Sequence, residues 1–235
     1  MKGTLYGLGV GPGDPELLTL KAHRILQEAD IICVPVSKIE KESLALSIVS
    51  PYIEADKTIL ELHMPMTQDE ATLRACWDQG AVQMLPHLQA GKNVAFLTLG
   101  DPSLFSTYTY LMGRIMALDA EIRVETVPGI TSLAAAAARL NRPLAEGEET
   151  LTIVPGLRQV EDLRGLLKEN ENVVLMKVSR QFPEIVRILE EENRVEQAVM
   201  VTRCGQAAEK ITYDLPRVKE DKIDYMSVII VKRGC

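Results

Sequence analysis

Chemistry-bearing residues cluster in three loops rich in glycine and proline. The first is Gly7-Leu8-Gly9-Val10-Gly11-Pro12-Gly13-Asp14-Pro15. The second is Leu99-Gly100-Asp101-Pro102-Ser103-Leu104-Phe105-Ser106-Thr107-Tyr108, and the third Thr126-Val127-Pro128-Gly129-Ile130-Thr131-Ser132. Read as GxGxxG from Gly7 or Gly9, the first loop puts Pro12 or Asp14 at the last glycine. A pyrophosphate cradle needs N–H donors and no adjacent carboxylate, so a dinucleotide is excluded. No Walker lysine occurs, and no serine sits in GxSxG. The three loops carry carboxylates and hydroxyls but no Lys or Arg. They suit a neutral or cationic cofactor. Asp101 can face a sulfonium or accept ribose hydroxyls, and Thr131 and Ser132 can bond a carboxylate or an adenine edge. The competing reading makes Asp14, Asp101, Ser106, Thr131 and Ser132 helix caps.

Each loop follows a predicted strand. Apolar runs at Thr4–Gly9, Ile31–Val34, Thr58–Leu62, Val94–Thr98 and Ile122–Val127 read as strands. Helical spacing occupies Glu16–Glu28, Leu44–Val49, Asp69–Ala90, Ser106–Ala117 and Ser132–Leu140. Alternation of this kind predicts a mainly parallel five-stranded sheet with helical crossovers. Ligands of such sheets lie beyond the carboxyl ends of the strands, where these loops begin. Arg142–Gly147 is the breaker between an N-terminal domain, 1–145, and a C-terminal one, 146–235. The second domain reads as strands Leu151–Val154, Val173–Lys177, Ala198–Thr202, Lys210–Tyr213 and Met226–Val231. Helices fall at Val160–Glu169 and Phe182–Glu191. Consecutive strands imply a mixed sheet.

The chain has 235 residues and a net charge of −7, with 26 basic and 33 acidic side chains. That balance speaks against a general nucleic-acid binder. Residues 1–125 carry 10 Lys/Arg against 16 Asp/Glu, and residues 126–235 carry 16 against 17. An anionic ligand therefore needs a local basic cluster. Cys33, Cys76, Cys204 and Cys235 form no CxxC and read as reduced thiols of a cytoplasmic protein. His23, His63 and His87 are dispersed, so no protein-held metal is expected. Neither a signal peptide nor a membrane helix is expected.

Gly9-Val10-Gly11-Pro12-Gly13-Asp14-Pro15, Gly100-Asp101-Pro102 and Val127-Pro128-Gly129-Ile130-Thr131-Ser132, in that order, resemble the tetrapyrrole (precorrin) methyltransferases. The resemblance covers essentially the whole chain. Glu16–Ala22, Met64-Pro65-Met66-Thr67 ahead of Trp77, and Leu97–Tyr108 are similar to the branch that methylates precorrin-2 or cobalt-factor II at C20. Phe105 departs from the tyrosine of that pattern, so no catalytic hydroxyl is expected there.

The resemblance implies an α/β fold of two α/β domains with the active site in a cleft between them. It implies S-adenosyl-L-methionine as cofactor, with S-adenosyl-L-homocysteine as product. Its contacts would come from Pro12, Gly100, Asp101, Leu104, Ser106, Thr107, Thr131 and Ser132, joined by Met176 with Lys177 and Val178 at a strand end and by the stretch 203–207, Cys204 and Gly205 within it. Gly11, Gly13, Arg180 and Arg203 would border an anionic tetrapyrrole. Asp101, then Asp14, are the candidates for base or electrostatic support. Arg114, Arg139, Arg142, Lys177, Lys21 and His23 are further candidates to meet the substrate's carboxylates. The family implies a homodimer. Another ring position, a diphthine-synthase-like protein methyltransferase and a non-catalytic pigment carrier remain open.

Overall fold

The structure is a computed structural model that describes residues 1–37 and 43–233. Cys235 lies outside the described residues. By its internal contacts the chain forms two compact units, Met1–Thr131 and Ser132–Cys235.

The first unit is a five-stranded sheet in the order β3-β2-β4-β1-β5. Its strands are β1 (Thr4–Gly9), β2 (Ile31–Val36), β3 (Thr58–His63), β4 (Val94–Thr98) and β5 (Arg123–Val127). Every pairing is parallel. Parallel strands are covered on both faces, and β4 is buried along its whole length. Its alternate residues enter different cores. Ala95 and Leu97 pack with Ala22, Ile25 and Ile48 of α1 (Leu20–Glu28) and α2 (Leu44–Val49). Val94 and Phe96 pack with Met84, Leu88, Leu111 and Ile115 of α3 (Glu70–Gln89) and α4 (Tyr108–Leu118).

The second unit begins with α5 (Ser132–Leu140), and the breaker 142–147 follows it as loop. Its strands are β6 (Leu151–Val154), β7 (Asn172–Met176), β8 (Ala198–Thr202), β9 (Lys210–Thr212) and β10 (Ser227–Lys232). Their order is β6-β7-β10-β8-β9, parallel only at β6–β7. Ile229 and Val231 of β10 meet Leu163, Leu167, Val186 and Leu189 from α6 (Asp162–Glu169) and α7 (Phe182–Glu191). The α5 helix packs against β10.

Four element limits differ from the sequence reading by two residues or more. The helix expected from Glu16 starts at Leu20, because two caps divide the segment. Asp14 accepts from the Glu16 amide over a 3-10 turn at Pro15–Leu17, and Thr19 accepts from the Ala22 amide at the start of α1. Leu20 is consequently exposed rather than part of the apolar stripe. The α4 helix starts at Tyr108 rather than Ser106, since Phe105 has φ +54° and the Ser106 hydroxyl accepts from the Tyr108 amide. The α6 helix starts at Asp162 rather than Val160, after a turn closed from the Asp162 amide to the Gln159 carbonyl. The β2 strand runs on through Pro35 to Val36. Its pairing with β4 ends at Cys33, so proline sits where that side of the sheet has stopped.

Candidate active site

In the first unit β1 lies between β4 and β5, so the three glycine-rich loops leave adjacent strand ends. They meet through backbone. The Gly100 amide donates to the Gly11 carbonyl at 2.8 Å, and the Val10 amide to the Thr98 carbonyl at 2.9 Å. Gly11 and Gly100 adopt φ +79° and +74°, conformations natural to glycine. A Cβ on Gly129 would lie 2.2 Å from the Gly100 carbonyl oxygen, and one on Gly9 2.5 Å from the Gly129 nitrogen. The glycines therefore permit contact between loops as well as turns within them.

Asp101 joins the second loop to the third. One carboxylate oxygen accepts from the Ser103 amide at 2.7 Å and from the Ser103 hydroxyl. The other accepts from the Gly129 amide at 2.9 Å. The residue is buried. Burial pushes its carboxyl up, but the Ser103 hydroxyl and the Gly129 and Ser103 amides outweigh that and hold it below the usual range. Asp101 is thus an anion with both oxygens engaged, which is the behaviour of a fixed charge rather than a proton acceptor. It is not a helix cap. Ser106 does serve α4, and its hydroxyl also lies 3.1 Å from that of Thr98. Thr107 occupies the α4 cap position. Leu104, Thr131 and Ser132 are half-buried, whereas Gly11, Pro12 and Gly13 are buried. Asp14 is half-buried, and its side chain's one hydrogen bond among the described residues is the cap to Glu16.

Sequence reasoning missed one support. The ring of Tyr108 fills the space where a Gly7 Cβ would stand, 2.2 Å away, and its hydroxyl lies 3.2 Å from the Thr126 hydroxyl. Gly7 read only as part of the glycine run.

In the second unit, Met176 ends β7 and is followed by Lys177 at φ +55°. Arg203 follows β8 at φ +50°, with buried Cys204 and then Gly205 at φ +75°. Burial, reinforced by Glu209, pushes the Cys204 thiol up to about 11. Several of the expected basic residues are already paired: Lys21 with Glu125, Arg114 with Asp78, Arg139 with Glu209 and Arg203 with Asp224, all within 2.8 Å. His23 packs edge-on against Tyr52. Arg142, Lys177 and Arg180 have no ion-pair partner among the described residues. Arg180 and Lys177 are exposed.

The donor set of the first-unit loops fits a zwitterion bearing a sulfonium. It offers a fixed carboxylate, hydroxyls and backbone groups, with no cation in any of the three segments. Among the described residues no group of three or more His, Cys, Asp or Glu could hold a metal. No helix among them is long and apolar enough to cross a membrane.

Comparison with known proteins points the same way. Residues 4–216 match the family model of the Tetrapyrrole (Corrin/Porphyrin) Methylases. The chain is 36% identical to the cobalt-precorrin-2 C(20)-methyltransferase of Salmonella typhimurium, over 99% of this chain and 98% of that one. It is 37% identical to the probable cobalt-precorrin-2 C(20)-methyltransferase of Methanocaldococcus jannaschii, over 97% and 96%. The fold resembles that of the uroporphyrin-III C-methyl transferase of Thermus thermophilus complexed with S-adenyl homocysteine, with TM-score 0.68, 24% identity and coverage of 98% and 92%. The sheet pair, the three converging loops and these full-length matches place the chain in the tetrapyrrole methylase family.

Proposed function

We propose that this protein transfers a methyl group from S-adenosyl-L-methionine to C20 of precorrin-2 or its cobalt-bearing counterpart in cobalamin biosynthesis. The observation that carries the reading is the cation-free set of carboxylate, hydroxyl and backbone groups where the β1, β4 and β5 loops meet. Full-length similarity to C20-methyltransferases supports the ring position. S-adenosyl-L-methionine supplies a methyl already activated by its sulfonium.

The chain's task is alignment and charge. Gly100, Leu104, Ser106, Thr107, Thr131 and Ser132 hold the cofactor, with Pro12 at the edge. Asp101 places a fixed negative charge beside it, and preorganised charge of this kind needs no reorganisation during transfer. Alignment of donor and acceptor is worth about 7–11 kcal/mol in favourable intramolecular cases. After transfer the meso carbon loses a proton. Asp14 is the better acceptor of the two aspartates, because Asp101 has both oxygens occupied. Gly11 and Gly13 border the substrate. Met176, Cys204 and Gly205 are assigned to the cofactor, and Arg180 and Arg203 to substrate carboxylates, on the family resemblance. Arginine matches a carboxylate with a two-pronged fork. The protein works in the cytoplasm as a homodimer.

Anaerobic incubation with methyl-labelled S-adenosyl-L-methionine tests the reading, with precorrin-2, cobalt-factor II and a cell protein extract offered in parallel. Label is expected in one tetrapyrrole and absent from protein. Label in a protein, or in no acceptor, contradicts it.

A further inference from the structure

The turn between β8 and β9 is built around a carboxylate that no sequence motif singled out. Glu209 precedes β9, and its side chain is 14% exposed. One oxygen accepts from the Gly205 amide at 2.8 Å. The other accepts from Arg139 Nε of α5 at 2.7 Å. The Cys204 thiol is a near neighbour of the same carboxylate. Two donors from two elements thus converge on one side chain. The backbone around it is left-handed at Arg203 and Gly205, a conformation that a non-glycine residue such as Arg203 keeps only where its surroundings impose it. Asp224 holds the outer edge, accepting from Arg203 Nε at 2.8 Å. Inside the turn the Gln206 side-chain Nε2 is buried without a hydrogen-bond partner among the described residues. Buried polar atoms of this kind call for a partner, and a bound ligand can supply it.

We infer that Glu209 is a positioning residue for the cofactor: it sets the Cys204–Gln206 backbone, and Gln206 donates its amide to the bound S-adenosyl group. This rests on the assignment of Cys204 and Gly205 to the cofactor. Arg139, spent on Glu209, is then part of the cofactor support and not of the substrate's basic lining.

Calorimetric titration with S-adenosyl-L-homocysteine tests the inference without any tetrapyrrole. Wild type, Glu209→Ala, Glu209→Gln and Gln206→Ala are compared with Glu149→Ala. That control breaks a different ion pair of the same unit, the one to buried Lys232. Glu209→Ala and Gln206→Ala are expected to weaken binding tenfold or more, with Glu149→Ala within twofold of wild type. Glu209→Gln keeps an oxygen for the Gly205 amide and is expected to weaken binding three- to fivefold, which also carries the test if the alanine variant does not fold. In turnover the loss is expected in KM for S-adenosyl-L-methionine, with kcat little changed. Glu209 variants that bind like wild type, or no more weakly than Glu149→Ala, overturn the inference. Wild-type protein that binds no S-adenosyl-L-homocysteine overturns instead the cofactor assignment beneath it.

Discussion

The strand ends of the two units are shaped by opposite means. In the first unit, the loops after β1, β4 and β5 touch backbone to backbone, and glycines at 9, 11, 100 and 129 make that approach and its turns possible. One carboxylate, Asp101, ties two of them. In the second unit the residues after β7 and β8 are bulky Lys177 and Arg203 in left-handed conformation. At the β8 end, side-chain carboxylates of Glu209 and Asp224 hold the geometry. The two regions should therefore respond differently to substitution. Where backbones are in contact, one methyl group has nowhere to go. Where a carboxylate does the holding, a conservative replacement keeps part of the bonding.

The largest effect is expected from Gly129→Ala. Its Cβ would fall 2.2 Å from a backbone oxygen, so two loops must separate. Activity should fall at least a hundredfold, and chemical denaturation should show a loss of about 1–3 kcal/mol, the usual range for overpacking. A near-normal enzyme would break the comparison. Asp101→Asn comes next. An asparagine offers one acceptor oxygen, so a part-buried N–H at Ser103 or Gly129 loses its partner, at a cost of about 1 kcal/mol. Activity is expected to drop by about tenfold to a hundredfold.

The pH dependence sharpens the same point. The Asp101 carboxyl is depressed in the folded state. Its stabilising contribution is therefore fully present above the unfolded value near 3.9 and is lost as pH falls through the folded one. The kcat profile should show no limb from Asp101 above about pH 5. A limb there that disappears in Asp101→Asn would mean that this residue titrates as a base.

A smaller effect is expected from removing substrate charge contacts. Arg180→Ala should raise KM for the tetrapyrrole more than Arg203→Ala, since Arg203 is already paired with Asp224. Arg180→Ala alone should leave S-adenosyl-L-homocysteine affinity nearly intact, and an equal loss of both would sink the division of roles. Smallest is Gly165→Ala, on α6 with nothing within 4 Å of its Cβ position. It should gain about 0.5–1 kcal/mol of stability from helix propensity alone and leave activity unchanged.

These contrasts also explain what could be read in the sequence. Strand positions in the first unit were legible because β4 and the start of β2 are short apolar runs and β1 runs straight into the glycine-rich loop. The converging loops were legible because Gly9, Gly100-Asp101 and Gly129 carry their geometry in their own residue types. Element starts were not, where side-chain caps decide them: Thr19 against Glu16 for α1, Ser106 against Tyr108 for α4. Glu209 was invisible because it acts across space on Arg139, seventy positions away. Likewise Tyr108 fills the room beside Gly7 only once β1 and α4 are packed.

The central claim is methylation at C20. The direct test is anaerobic turnover with methyl-13C S-adenosyl-L-methionine on precorrin-2 and on cobalt-factor II, followed by 13C NMR of the product. One new methyl resonance coupled to the C20 meso carbon is the expected result. A methyl at another ring carbon, or none with either pigment, would contradict the account.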